Sequence, residues 1–120
     1  MRFEKVYIEG LGYHLPEDTV TSAEIEKRLA PLYERLKLPH GRLELMSGIK
    51  ERRVWRKGVL PSEVATIAGE KAIARAGVNR DHIGCLISAS VCRDFIEPST
   101  ASIIHCNLKI PSEAFVFDVS

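Results

Sequence analysis

The fold of this chain is decided by residues 83 to 102, which read Ile-Gly-Cys-Leu-Ile-Ser-Ala-Ser-Val-Cys-Arg-Asp-Phe-Ile-Glu-Pro-Ser-Thr-Ala-Ser. The continuous apolar run from Ile83 to Val91 predicts a buried strand, and Pro98 suits the first turn of a helix that runs to about Leu108. A short loop with one arginine and two carboxylates lies between them. Because ligands bind at the carboxyl ends of strands in open α/β sheets, this loop is the expected functional edge.

The segments on either side alternate between strand and helix patterns. Strands are predicted from Lys5 to Gly12 and from Ala114 to Val119. Between them a helix is predicted with Ser62 as its N-cap and Gly77 as the residue where it ends. The resulting order, β-α-β-α-β, implies parallel neighbouring strands, right-handed crossovers and helices that cover the sheet.

A further helix is predicted near the N-terminus. The sequence Thr21-Ser22-Ala23-Glu24 has the pattern of a capping box, and apolar residues then recur at helical spacing as far as Leu36. Pro31 interrupts this pattern, so the helix is expected to break near Ala30. The polar and basic residues 40 to 58 are expected to form a loop.

The composition of the chain excludes several classes of function. A net charge of +1 gives no reason to expect a nucleic-acid partner, and the apolar runs are too short for membrane insertion. The three cysteines, Cys85, Cys92 and Cys106, cannot all pair, which fits the reducing cytoplasm. Cys85 lies inside the apolar run and is expected to be a small buried residue.

No metal site is predicted. Cys92, His105 and Cys106 lie near one another in the sequence. Adjacent side chains on one helix point in different directions, however, and the ligand spacing that is typical of zinc sites is absent.

Three blocks of sequence carry a resemblance to a known family. Together with the loop from Ser90 to Thr100, they resemble the thiolase superfamily and its 3-oxoacyl-acyl-carrier-protein synthase III branch. The loop is similar to that of the olefin-pathway condensing enzymes (OleA type), which join two long-chain acyl-CoA molecules head to head. The blocks are Gly48-Ile49-Lys50-Glu51-Arg52-Arg53-Val54-Trp55, Pro98-Ser99-Thr100-Ala101 and Phe117-Asp118-Val119-Ser120.

The resemblance implies a fold and a domain organisation. Residues 1–120 would be the N-terminal part of the first half of a thiolase-like α/β fold with a layered α/β/α sheet, ending before the nucleophile. In the family the nucleophilic cysteine follows the Phe-Asp-Val-Ser strand, so it is expected just after Ser120, and none of the three cysteines matches that position. The catalytic histidine and asparagine of the family belong to the second half.

The resemblance also implies an activity. The full-length protein would be an acyltransferase that condenses two fatty acyl-CoA molecules to a β-keto acid through an acyl-cysteine, whereas the 120 residues alone would be inactive. It would use acyl-CoA as substrate, need no cofactor and form a homodimer, with acyl carrier protein as a further partner. Two alternatives stay open: a decarboxylating 3-oxoacyl-acyl-carrier-protein synthase III, and a non-catalytic dimerising fragment.

Glu97 is the candidate catalytic residue. The ordinary synthase III has a bulky apolar residue at this place, and its reaction obtains a carbanion by loss of CO₂. Two simple acyl-CoA molecules have no carboxylate to lose, so one must give up an α-proton to a general base. By resemblance Glu97 would act as this base across the dimer interface; the alternative is that Glu97 only stabilises the following helix N-terminus.

The remaining charged residues allow two interpretations. A basic cluster around Trp55 would meet CoA phosphates or an acidic carrier protein, but a solvated, partly ion-paired loop is the favoured interpretation. Arg93 and Asp94 could pair with each other or with Glu97 and so fix the loop, and a structural role in the loop is their favoured interpretation. The cluster consists of Lys50, Arg52, Arg53, Arg56 and Lys57.

Overall fold

A computed structural model of the protein describes residues 4–120. The described chain divides into two compact units: residues 15–57 form one, and residues 58–120 form the other together with residues 4–14. In chain order the elements are β1 (Asp18–Thr21), α1 (Ser22–Arg28), α2 (Ala30–Arg35), α3 (Arg42–Ser47), β2 (Glu51–Val54), α4 (Pro61–Ala76), a 3₁₀ turn (Arg80–His82), β3 (Cys85–Ala89), α5 (Thr100–Asn107) and β4 (Phe115–Val119). No helix among residues 4–120 is both long enough and apolar enough to cross a membrane.

The first helix of the smaller unit follows the local sequence signals. Thr21 Oγ1 accepts a hydrogen bond from the Glu24 amide at 3.1 Å, and Glu24 Oε2 accepts one from the Thr21 amide at 2.7 Å. The predicted capping box is therefore confirmed. The predicted break is confirmed as well, because α1 ends at Arg28 and α2 begins at Ala30 with Pro31 in its first turn.

The prediction of a loop over residues 40 to 58 was wrong. Helix α3 lies in this range, and β2 pairs there with β1 as an antiparallel ladder that runs from Asp18 opposite Val54 to Thr21 opposite Glu51. These short strands carry mostly polar and charged residues, so they show no apolar alternation from which pairing could be predicted. The pairing depends on partners that are distant in the sequence.

A buried glutamate joins the helices of the smaller unit. Glu26 of α1 is 3% exposed, and its Oε1 accepts hydrogen bonds from the Leu43 amide at 2.7 Å and the Tyr33 hydroxyl at 3.1 Å. Its Oε2 accepts one from the Gly41 amide at 2.7 Å. Backbone hydrogen bonds, first from Leu43 and then from Gly41, lower the pKa of Glu26 below its ordinary value. This carboxylate therefore fastens the start of α3 to α1.

Glu26→Gln is expected to lower the stability of the protein at neutral pH, because a side-chain NH₂ would replace an acceptor that faces amide hydrogens. A lowered folded-state pKa stabilises the fold above the ordinary glutamate pKa of about 4.3, and this stabilisation is lost as the pH falls through the folded-state value. The stability gap between the wild type and the variant should therefore narrow on acidification from pH ~5 to ~3. Thermal unfolding across this pH range measures the gap, with the exposed Glu34→Gln as the control; a gap independent of pH would contradict the prediction.

The larger unit is built around two parallel strands. β3 pairs with β4 from Cys85 opposite Phe115 to Ala89 opposite Val119, and α5 makes the connection between them. This confirms the predicted parallel neighbours, and β4 starts one residue later than predicted. The core is a cluster of α5 and the segment after it, in which Ile104, Leu108 and Ile110 are buried against Leu86 of β3 and other half-buried apolar residues.

Three details of the larger unit differ from the predictions. The predicted buried strand over Ile83 to Val91 is half-buried on one face and exposed on the other, since Ile87 is 62% exposed and Cys85, predicted to be buried, is exposed. The reason is that α5 covers only one face of the two strands. Helix α4 begins at Pro61 with Leu60 at the N-cap position, so Ser62 is a buried first-turn residue rather than the cap. The helix does end at Gly77, as predicted.

The predicted strand from Lys5 to Gly12 is not observed, because this segment joins no ladder within residues 4–120. It lies along α4 instead, where Arg75 donates to the Leu11 carbonyl at 2.9 Å and Lys71 to the Tyr13 carbonyl at 3.2 Å. A strand requires a partner for its backbone groups, and here side chains of α4 satisfy two of them.

Gly12→Ala is expected to destabilise the protein by about 1–3 kcal/mol because the added methyl would overlap backbone atoms of α4. A Cβ at this position would lie 2.2 Å from the Ala68 carbonyl oxygen and 2.5 Å from the Ala72 amide nitrogen. Gly84→Ala is the matched control, since a Cβ there meets no atom within 4 Å. Urea unfolding of both variants measures the difference, and equal stabilities would show that the close approach is not required.

Candidate functional site

The candidate site is the loop of residues 90–99, which connects β3 to α5 at the carboxyl end of the parallel strands. The Ser90 amide donates to the Val119 carbonyl at 3.0 Å, and Arg93 Nη2 donates to Ser120 Oγ at 2.9 Å. These bonds hold the loop beside the end of β4. The loop therefore lies at the edge where ligands bind in open α/β sheets, as the sequence predicts.

Glu97 lies on the exposed part of this loop, two residues before Ser99, the N-cap of α5. Its carboxylate makes no hydrogen bond or ion pair with the rest of residues 4–120, and the Glu97–Pro98 peptide is cis. The apolar residues before it are also exposed, Phe95 by 52% and Ile96 by 90%. The loop thus presents a free carboxylate next to an apolar surface.

The start of α5 is satisfied by residues other than Glu97. Asp118 of β4 accepts hydrogen bonds from the Thr100 amide at 2.9 Å and from the Ala101 amide at 2.8 Å. Ser99 Oγ accepts one from the Ser102 amide at 3.2 Å. The helix begins two residues after Pro98 rather than at it. The alternative role for Glu97 is stabilisation of this helix N-terminus, but its carboxylate accepts no hydrogen bond from the amides of the first turn of α5.

Asp94 ties the other end of the loop to α4. Its Oδ1 accepts a hydrogen bond from the Ser62 amide at 3.0 Å, and its own amide donates to Thr100 Oγ1 at 3.4 Å. Its Oδ2 is buried without a partner among residues 4–120. Arg93 and Asp94 therefore do not pair with each other or with Glu97, but they agree with the favoured interpretation, a structural role in the loop, through backbone and hydroxyl groups of neighbouring elements.

Sequence reasoning missed the role of Asp118. One signal was present: Asp118 is the single charged residue in the strand Phe115–Val119, and the period of two places it on the same face as Val116. This face packs on α5, since residues 116 and 118 are half-buried while their neighbours are exposed. A carboxylate there could be expected to meet the helix start.

The basic cluster around Trp55 mostly supports its own unit. Arg52 donates to Ser22 Oγ at 2.9 Å, Arg53 donates to the Pro16 carbonyl at 2.8 Å, and Arg56 forms an ion pair with Asp18 at 2.9 Å. These contacts hold residues next to β1 and β2 together. They agree with the favoured interpretation, a partly ion-paired surface.

The structure brings no metal ligands together among residues 4–120. His105 Nε2 lies 2.9 Å from the Pro111 carbonyl oxygen, a contact within the turn that follows α5. Cys92 and Cys106 are exposed free thiols, like Cys85.

Asp118→Ala is expected to lower the free energy of unfolding by about 1–2 kcal/mol, since two amides at the α5 N-terminus would lose their acceptor. Asp118→Asn should have an intermediate stability because it keeps one acceptor oxygen. Urea unfolding measures both, with Glu113→Ala in the exposed turn before β4 as the control. If the alanine variant matched this control, Asp118 would not stabilise α5.

The sequence of the chain was compared with those of known proteins, and the similar proteins belong to two related kinds of enzyme. No protein-family profile matches the chain. The chain is 40% identical over 120 residues to the acyl-CoA:acyl-CoA alkyltransferase of Shewanella oneidensis, covering 100% of this chain and 34% of that protein. It is 42% identical to the enzyme of the same name from Xanthomonas campestris, covering 36% of it. Similarity to β-ketoacyl-acyl-carrier-protein synthase III of Chlamydia pneumoniae is lower, 34% over 107 residues, or 89% of this chain and 30% of that protein.

Comparison with solved structures indicates the same kind of enzyme as the comparison of sequences. Cerulenin-bound Xanthomonas campestris OleA matches with a TM-score of 0.84 and 43% identity, over 93% of this chain and 33% of that chain. A glutamate-to-glutamine variant of OleA bound with cerulenin matches with a TM-score of 0.87 and 42% identity, over 98% of this chain and 35% of that chain. The chain spans about a third of the length of these proteins. The predicted resemblance and the N-terminal part of the thiolase-like fold are confirmed.

Proposed function

Because the chain is similar over its whole length to the N-terminal third of OleA-type condensing enzymes, we propose that the whole protein condenses two acyl-CoA molecules. The observation that carries this proposal is the 40% identity over all 120 residues to an acyl-CoA:acyl-CoA alkyltransferase. Residues 1–120 would then form the N-terminal part of the first thiolase-like half, with the nucleophilic cysteine in the sequence that follows Ser120.

The proposed reaction proceeds in three steps. The cysteine thiolate attacks the first acyl-CoA, and CoA leaves as the thiol once it has taken a proton. A general base removes the α-proton of the second acyl-CoA, and the carbanion attacks the acyl-cysteine carbonyl, so that a carbon–carbon bond forms and the cysteine thiolate leaves. Water then hydrolyses the β-ketoacyl thioester to a β-keto acid and CoA. No cofactor takes part, and the second step is the only one that removes a proton from carbon.

We assign the base to Glu97. Its support is that the carboxylate lies at the ligand edge of the β3–β4 sheet and has no partner within residues 4–120. Its alternative task is already performed, since Asp118 and Ser99 accept the amide hydrogens of the first turn of α5. The exposed Phe95 and Ile96 beside the carboxylate offer an apolar surface for the acyl chain whose α-proton the base removes.

Glu97 is exposed in the single chain, and a carboxylate in water is a weak base for a thioester α-proton. The proposal therefore includes a homodimer, in which the partner subunit and the acyl chain cover the loop and exclude water. Glu97 would then act on substrate beside the partner's cysteine. The setting proposed for this reaction is olefin biosynthesis in the cytoplasm.

A second candidate function is a decarboxylating synthase III that extends an acyl chain with a malonyl group carried on acyl carrier protein. It is favoured by the 34% identity to the Chlamydia pneumoniae synthase. This reaction needs no α-carbon base, so Glu97 would be dispensable in it. A non-catalytic dimerising protein is the third possibility, and the absence of a cysteine soon after Ser120 would favour it.

Glu97→Gln and Glu97→Ala in the full-length protein are expected to lower acyl-CoA condensation by about 10²-fold or more, the usual contribution of a general base. Acylation of the cysteine should continue, because it does not require removal of an α-proton. Mass spectrometry of the acyl-enzyme and chromatography of the β-keto acid measure the two steps separately.

The control for this experiment is Glu113→Gln, an exposed glutamate of the same unit outside the loop. Unchanged condensation in both Glu97 variants would remove Glu97 from the mechanism. Product that forms only when malonyl-acyl-carrier-protein is added would favour the decarboxylating synthase.

A further inference from the structure

We infer that Asp94 is a positioning residue for Glu97, which it holds in place by fastening the loop to the N-terminus of α4. The inference rests on the proposed function, since it concerns how the base is held. It is carried by contacts at both ends of the segment from Asp94 to Thr100, which contains Glu97.

At the first end, the carboxylate of Asp94 accepts the hydrogen bond of the Ser62 amide at 3.0 Å. Ser62 is 2% exposed and belongs to the first turn of α4, a helix of 16 residues whose N-terminal amides have no partner inside the helix. Pro61 has no amide hydrogen, so the amide of Ser62 is among the first that needs an acceptor. A carboxylate at this place also interacts favourably with the helix dipole.

At the second end, Thr100 is held from two sides. It is 3% exposed, its amide donates to Asp118 at 2.9 Å, and its hydroxyl accepts from the Asp94 amide at 3.4 Å. The last contact joins the two ends of the segment to each other. The backbone from Asp94 to Thr100 therefore forms a loop whose two ends are joined by a hydrogen bond and anchored to α4 and β4. Glu97 lies in the exposed middle of this loop.

This arrangement separates the fixed part of the loop from the reactive part. The Glu97 side chain makes no hydrogen bond or ion pair within residues 4–120, so the position of its carboxylate depends on the backbone that carries it. Loss of the Asp94 carboxylate would release the loop from α4, while Asp118 would still hold the start of α5. Misplacement of a catalytic group by about 1 Å can reduce a rate by about 10²-fold.

The test compares Asp94→Ala with Asp94→Asn in the full-length protein. The alanine variant loses the acceptor for the Ser62 amide, whereas asparagine keeps an acceptor oxygen at the same distance from the backbone. We expect alanine to lower the condensation rate about 10- to 100-fold and asparagine to restore most of it. Asp81→Ala, an exposed aspartate of the same unit, is the control.

The rate is measured per acylated cysteine in a single turnover, with the acyl-enzyme counted by mass spectrometry. Protein that fails to fold is not acylated, so a merely structural role would not change this normalised rate. An alanine variant with an unchanged normalised rate would overturn the inference. An asparagine variant as slow as the alanine variant would also overturn it, because the bond to Ser62 would be retained.

The same assay on Glu97→Gln separates this inference from the proposed function. If the glutamine variant loses condensation while Asp94→Ala does not, the base role stands and the positioning role is wrong. If the glutamine variant condenses normally, the base role is wrong, and the positioning role is overturned with it because no base is left to position.

Discussion

The arrangement of the larger unit depends on one constraint: the amides at the start of a helix need acceptors from outside that helix. Helix α5 connects two parallel strands, so its first turn lies near the carboxyl end of β4. Asp118 on that strand accepts two of the amides, and Ser99 accepts a third. Strand, helix and loop are thereby fixed at one edge of the sheet, which is the edge that bears Glu97.

Three carboxylates near this edge have different tasks, although the sequence presents them as similar. Asp94 and Asp118 each face the N-terminus of a helix, and backbone amides compensate their charge. Glu97 faces solvent and is compensated by nothing in residues 4–120. The difference comes from which helix start lies within reach of each side chain.

Local signals in the sequence predicted local structure well. The capping box at Thr21, the break at Pro31 and the end of α4 at Gly77 each depend on residues within one turn of the feature. The crossover through α5 was predictable too, because an apolar strand, a loop and a helix follow one another directly. The candidate loop and Glu97 were located in the same way, with help from the family resemblance.

Features that require partners far along the chain were not predictable. The ladder between β1 and β2 joins polar strands, and the Ser62 amide finds its acceptor, Asp94, 32 residues further along the chain. The N-terminal segment shows the opposite error: its apolar alternation predicted a strand, but close contacts of Gly12 with α4 determine its place. An alternation of apolar and polar residues indicates which side of a segment is apolar, but it does not indicate which element will cover that side.

The closed loop around Glu97 also has a consequence for the order of assembly during synthesis. All of its bonds involve groups between Ser62 and Ser120, and the ribosome makes them in a fixed sequence. The residues of α4 are synthesised before Asp94, so the helix start that Asp94 caps precedes it along the chain. Asp118 is the last of these acceptors along the chain, so the Thr100 and Ala101 amides can gain it only after residue 118 has been synthesised. The backbone that carries this catalytic candidate is therefore held by hydrogen bonds among residues 62 to 120 of one chain.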